Sequence, residues 1–288
     1  MKYANLHMHS TYSDASLSPC HLVRIGKSLG YHAMALTDHE TDAGVKEFMT
    51  YAKQEGIDAI SGVEFFAVDE GLITKLSLHI VALDYDMENP GIRALIKDRV
   101  DLNVERTRNI FELAVSKGAI TDLTWNDVVD YNPPGAWLCI DSIFNAMELK
   151  HHVVLSKSKT DSIRNVFKSP EAQVFNNPHR HASDIIKTIR NAEGIAVLAH
   201  PNDQMHMVEK LVSYGLNGIE VSHPRVYNHI PYQTAEAAMT YNLYRSGGTD
   251  HTGPMSGNGG DRAIPVFNGI TEEEFTAIRE RRLDYLYK

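Results

Sequence analysis

Histidines and carboxylates recur along this chain where short apolar segments stop, beginning with His7-Met8-His9 and ending with Asp250-His251. In Tyr3-Ala4-Asn5-Leu6-His7-Met8-His9 the side chains of an extended strand alternate, so His7 and His9 face the same side, roughly 6.5 Å apart. Two imidazoles so placed can share one cation. Ala33-Met34-Ala35-Leu36 runs into Thr37-Asp38-His39, Ala59-Ile60-Ser61-Gly62-Val63 into Glu64, and Ile195-Ala196-Val197-Leu198 into Ala199-His200-Pro201. A lone histidine is usually a structural residue, but an ordered series points to one multinuclear metal site assembled from strand ends. Segments of helical pattern separate these strands, which favours a parallel α/β barrel with its chemistry at the carboxyl ends.

The remaining pattern supports that order. Ser18-Pro19 predicts a helix start with proline in the first turn, and the helix runs to Gly30. A second helix spans 42–54, ending near Gly56. Leu78-His79-Ile80-Val81-Ala82-Leu83 reads as a buried strand interrupted only by His79. After Asn89-Pro90 comes a long helical stretch over 93–117, then another over 140–149, then a polar, weakly periodic segment over 155–180. The region from about 90 to 190 is therefore read as a mainly helical insertion into a barrel that occupies the whole chain. Alternation resumes with strands at 195–199, 218–221 and 243–247 and helices near 204–214, 231–241 and 272–282.

Charge narrows the partners. A formal net charge of −9 over 288 residues disfavours the broad basic surface that duplex nucleic acid requires, and leaves small anions and short oligonucleotides open. If Asp14, Glu64 and Asp250 all ligate, three divalent cations against three carboxylates leave the site at about +3, attractive to phosphate within an acidic protein. Cys20 and Cys139 lie far apart with no CxxC spacing, which argues against a disulfide framework or a thiolate zinc site. No apolar run is long enough for a bilayer, and Met1-Lys2-Tyr3 leads into the ligand-bearing strand instead of a signal peptide. A cytoplasmic location without membrane attachment is expected. Oligomeric state and natural substrate are not encoded in any pattern.

His7-Met8-His9-Ser10 with Tyr12-Ser13-Asp14, then Thr37-Asp38-His39, Gly62-Val63-Glu64, His79, Ala199-His200-Pro201 and Gly248-Thr249-Asp250, resemble the motif series of the polymerase and histidinol phosphatase (PHP) family. The resemblance runs from the first strand to about residue 260, and within the family it is to small bacterial phosphoesterases with a helical insertion over the barrel mouth. It implies a distorted seven-stranded β/α barrel holding up to three metal ions, used to hydrolyse phosphate esters of nucleosides, short nucleic acids or cyclic phosphates. Carried over by position, His7, His9, Glu64 and Asp250 would hold the first metal. Glu64 would bridge to a second, completed by His79 and His200. Asp14 and His39 would belong to a third, whose last histidine the family supplies two residues beyond the aspartate. Here that residue is Thr252 and the histidine is His251. Either the backbone leaves the strand at Asp250, as Gly247, Gly248 and Gly253 would permit, or the third site is altered; the first reading is preferred.

Such ligands suit two or three zinc, manganese or iron ions. Glu64, Asp250 and His200 would carry the catalytic burden, with a metal-bridging hydroxide attacking phosphorus in line. For substrate contacts, Arg225 and His223 follow the strand 218–222 at the barrel mouth, and Arg106 lies on the insertion helix, where a solvated role competes equally. Asp38 would orient a ligand or begin a helix; His179-Arg180-His181 would bind an anion or be solvated. The leading function is a phosphoesterase acting on a small phosphorylated metabolite, either monoester or cyclic diester. Its competitors are a 5'-3' exonuclease or oligoribonuclease for short ends, an amidohydrolase-type C–N hydrolase, and a non-catalytic metal-binding module. The C–N reading suffers because such barrels often use a bridging lysine where this chain has Glu64.

Overall fold

The computed structural model describes residues 3–73, 77–176, 178–227, 229–251 and 268–284. Thr252, Gly253 and Asn258-Gly259-Gly260-Asp261, a stretch whose sequence reads as a hinge or a turn, lie outside them. Among the described residues the strands are β1 (Ala4–Asn5), β2 (Ala33–Ala35), β3 (Asp58–Ile60), β4 (Gly62–Val68), β5 (Leu78–Leu83), β6 (Arg180–His181), β7 (Ile195–Leu198), β8 (Gly218–Ser222) and β9 (Tyr244–Gly247). The helices are α1 (Pro19–Ser28), α2 (Val45–Glu55), α3 (Pro90–Ser116), α4 (Trp125–Asp130), α5 (Ile140–His151), α6 (Lys157–Phe167), α7 (Pro170–Gln173), α8 (Ala182–Asn191), α9 (Val208–Ser213), α10 (Ile230–Thr240) and α11 (Glu272–Glu280). None is long and apolar enough to cross a membrane.

The strands form two sheets, β1-β2-β3 and β6-β4-β5-β7-β8-β9. Hydrogen bonds join the sheets at both edges. On one side Leu6 N–H donates to Gly247 O (3.0 Å) and Asp250 N–H to His7 O (2.9 Å). On the other, Glu64 N–H donates to Asp38 O (3.1 Å) and Glu40 N–H to Glu64 O (2.8 Å). The expected all-parallel order needs correcting at one strand: β5 runs antiparallel to both β4 and β7. The connection 69–77 is too short for the crossover that a parallel pair demands. Reversal puts the N-terminal end of β5 beside the carboxyl end of β7, where Ala199 N–H donates to His79 O (3.0 Å). His79 thus reaches the ligand end from the start of its strand.

The apolar runs of β7 and of β5 beyond His79 are buried on both faces, as strands between two layers must be. Val81, Leu83, Ile195 and Val197 share a core with Leu6, Ile60 and Phe275. Their neighbours Ile80, Ala82, Ala196 and Leu198 pack outward against α8, α9 and α10. Each fully buried Val, Leu or Ile among them stabilises the fold by about 1.5–3 kcal/mol. The 27-residue α3 begins with Asn89 accepting from Gly91 and Ile92 N–H. It belongs to two cores: Ile92 and Ile96 pack on the sheet side, while Ile110, Phe111 and Ala114 pack with α4 to α7. Helix α8 lies within the region read as an insertion, yet Ile185, Ile186 and Ile189 pack against the main sheet.

Candidate metal centre

The site starts from alternation in the first strand. Met8 points into a core with Leu22, Met34 and Leu36, so the flanking His7 and His9 point the other way and are fully buried. Gly248 is required beside them, since a Cβ there would meet His7 N at 2.4 Å. Asp250 and His200 both adopt left-handed backbone (φ 48° and 29°), which turns each out of its strand direction at a cost of about 1–2 kcal/mol.

Glu64, on β4, sits at the middle. Its Oε2 lies 3.0 Å from His39 Nδ1 and 3.3 Å from both His7 Nε2 and His9 Nε2. Its Oε1 lies 2.9 Å from His79 Nδ1 and 3.5 Å from His200 Nε2. Asp250 Oδ1 is 3.1 Å from His9 Nε2, and Asp14 is 3.8–3.9 Å from His39 and His9. The structure therefore brings together eight of the nine expected ligands. Four atoms in this group, His7 Nε2, His9 Nδ1, His39 Nδ1 and Glu64 Oε2, are buried without a hydrogen-bond partner. Buried polar atoms are costly unless something binds them, and nitrogen and carboxylate groups at this density fit divalent cations.

Protonation follows the same geometry. Burial opposes charge on His7, yet Glu64 and Glu220 outweigh it and hold the imidazole well above its ordinary range. Burial likewise opposes charge on His9, but Asp250 and Glu64 raise it to about 10. At His39 burial wins, pushing it down to about 4. Burial works against the Glu64 carboxylate too, but His7, His39 and His79 keep it well below the usual range. Protons on His7 and His9 stand where cations would, so metal uptake must release them.

A second layer fixes these ligands, and most of it escaped the sequence reading. Glu220 Oε1 lies 2.8 Å from His7 Nδ1, and its Oε2 accepts from His200 N–H (2.7 Å). A carboxylate within Gly218-Ile219-Glu220-Val221 was the available signal. Asp38 accepts from Ser10 N–H (2.7 Å), Ser10 Oγ (2.6 Å) and Ser13 Oγ (2.5 Å), which shapes the loop carrying Asp14. Asp38 does not begin the following helix, whose N-cap is Gly44. Glu40 accepts from Phe66 N–H (2.9 Å) and Arg99 Nε (2.8 Å), tying α3 to the turn after His39.

A cavity of about 330 Å³ opens onto the centre, with Glu64, His200 and Asp250 on its floor and Arg106, Trp137, Cys139 and Arg225 among its walls. Arg225 Nη2 is 3.4 Å from Asp250 Oδ2; Arg106 donates from Nε to Asn176 Oδ1 (3.1 Å) and is partly buried. Trp137 and Phe66, with ring centroids 5.7 Å apart, went unnoticed in the sequence. His223, expected to touch substrate, is instead buried behind Asp250. His251, the ninth expected ligand, is placed apart from the other eight: it lines a cleft with Met8, Leu22 and Met34 and not the cavity over Glu64. The backbone does turn at Asp250, but with Met8 paired to His251 the ring stays on the core side. Arg180 pairs with Asp98 (2.9 Å) and His181 caps α8, while the His179 ring packs 5.5 Å from that of Phe66.

Buried histidine and carboxylate donors at the strand ends of an α/β fold, under a cavity with arginines, define a metal-dependent hydrolase. The chain belongs to the PHP family: the PHP domain pattern matches residues 5–242. It is 29% identical to a 5'-3' exoribonuclease of Haemophilus influenzae, covering 86% of this chain and 89% of that protein. It is 29% identical to a 3',5'-nucleoside bisphosphate phosphatase of Chromobacterium violaceum (89% and 90% covered). It is 26% identical to a phosphoribosyl 1,2-cyclic phosphate 1,2-diphosphodiesterase of Eggerthella lenta (86% and 94% covered). The fold is similar to a Bifidobacterium adolescentis structure assigned as a metal-dependent phosphoesterase, with TM-score 0.77 and 21% identity over 100% of this chain and 99% of that one.

Proposed function

We propose that the chain is a metal-dependent phosphoesterase that hydrolyses small phosphorylated compounds as monoesters, cyclic diesters or both. The observation that carries this is the set of buried, partnerless donor atoms around Glu64, opening onto a cavity walled by two arginines. In this reading His7, His9, Glu64 and Asp250 hold one ion, Glu64, His79 and His200 a second, and Asp14 with His39 contributes to a third without His251. The edge hydrogen bonds between the two sheets support reading the strands as a distorted barrel of the PHP type. The cap with its own core runs from the middle of α3 to about residue 176. When bound, divalent ions on such donors supply Lewis acidity and a nucleophilic water at neutral pH. The chain's own residues then position the ester. Arg225, 45% exposed, takes two phosphoryl oxygens through its planar fork, and Arg106 faces it from the cap. Trp137 and Phe66 exclude water from the wall between them.

The H. influenzae relative and Trp137 favour one second reading, trimming of short RNA ends, because an indole face stacks any base. Phosphate release by chelated and then zinc-, manganese- or iron-loaded protein tests both. The panel holds sugar phosphates, nucleotides, nucleoside bisphosphates, cyclic phosphates and oligonucleotides. Turnover concentrated on the small compounds and lost on chelation is expected. Rates that climb with oligonucleotide length would replace the first reading by the second.

A further inference from the structure

His223 is wholly buried, its ring centroid 5.5 Å from that of His7 and 5.0 Å from that of His200, and with His7 and Glu220 it forms a cluster of donor type. Hydrogen-bond direction decides what this cluster can do. Arg225 backbone N–H points at His223 Nδ1 (3.0 Å), and an amide can only donate. Nδ1 therefore carries the lone pair, and in the neutral ring the proton sits on Nε2. That nitrogen is buried with no well-formed hydrogen bond, and Asp250 Oδ2 lies 3.3 Å from it as an acceptor in reach. A protonated Nε2 ligates nothing. In the same cluster Glu220 takes the Nδ1 side of His7 (2.8 Å), which leaves His7 Nε2 free for the ion side.

Asp250 divides its two oxygens. Oδ1 faces His9 Nε2 (3.1 Å) and His7 Nε2 (3.7 Å), while Oδ2 faces His223 and the Arg225 guanidinium (3.4 Å). We infer that His223 is a positioning residue that holds Asp250 through Oδ2, so that Asp250 offers Oδ1 alone to the metal centre. The inference rests on the metal-centre reading of Asp250, and makes no use of which ester is cut. It also separates two partners of one oxygen. Arg225 is exposed and able to leave Asp250 for a phosphate; His223 is enclosed and stays, keeping the carboxylate aimed while the arginine is engaged.

The tautomer is directly measurable. Long-range proton–nitrogen correlation spectra of uniformly ¹⁵N-labelled protein, with the His223 signals assigned by their loss in His223→Gln, are expected to show Nε2 protonated and Nδ1 unprotonated with or without zinc. A zinc-shifted Nε2 or a proton on Nδ1 overturns the inference, and neither result depends on turnover, so failure of the phosphoesterase reading would be seen separately. Zinc affinity, read by competition with a chromophoric chelator, should fall about 10–100-fold in His223→Leu and be substantially restored in His223→Gln, whose amide still donates. Unchanged affinity in a folded His223→Leu overturns it as well; should that variant fail to fold, the wild-type tautomer decides.

Discussion

The floor of the cavity and its roof are built by different rules. On the floor the donors are side chains held on strands and on the short turns beside them, and neighbouring carboxylates such as Asp38 and Glu220 hold their orientation. The roof is a set of helices with a core of its own, from Ile110 to Ala172, and it reaches the cavity through long side chains such as Arg106 and Trp137. A floor so constrained cannot shift one donor without disturbing its neighbours. A roof on a separate core can exchange its side chains and leave the chemistry in place. The contrast teaches that reaction type and substrate preference reside in parts with separate sources of stability.

The largest effect should come from the floor. Glu64→Gln is expected to lower kcat/KM on the order of a thousandfold, with bound metal measured by mass spectrometry falling too. Normal metal content and turnover would break the idea of a shared central carboxylate. Next, Ile143→Ala removes a fully buried side chain from the roof core and should cost about 3 kcal/mol locally. Hydrogen exchange should then accelerate over α4 to α7 but not in β5 or β7; equal acceleration in both would show one cooperative unit instead of two. Trp137→Ala should raise KM roughly tenfold, with kcat nearly intact. A matching fall in kcat would move Trp137 from roof to chemistry.

The smallest effect concerns pH. Lys150 and Thr124 together hold the Asp127 carboxyl at about 2, below its ordinary 3.8. A depressed carboxyl stabilises the fold above its unfolded value, and that contribution disappears as pH falls through about 2. Asp127→Asn should therefore flatten the acid limb of roof stability between about pH 4 and 2, followed by hydrogen exchange in α4, without changing metal content. An unaltered acid limb would remove this pair from the roof's stability.

The same contrast explains what could be read in advance. Floor donors were legible because strand alternation and strand ends fix short side chains locally: His7, His9, His39, Glu64, His79, His200 and Asp250 all converge. His251 misled because a turn at Asp250 says where the backbone goes, not which side of Met8 the next ring faces. The direction of β5 was hidden because an apolar run has no polarity of its own; the length of 69–77 carried the clue. Trp137 and the partition of α3 between two cores depend on helix packing across long sequence distances, which periodicity does not report.

One edge of the sheet pairing has a consequence for how the molecule comes into being. Asn5 Nδ2 donates to Thr249 Oγ1 (3.0 Å) across a sequence separation of 244. Contacts this remote form late, after shorter loops have closed. During synthesis His7 and His9 are among the first ligands made, yet they wait on an unpaired strand edge until the residues near 250 emerge. A nascent chain thus cannot bring the donor set together until Asp250 has been made and the two distant strand edges have met.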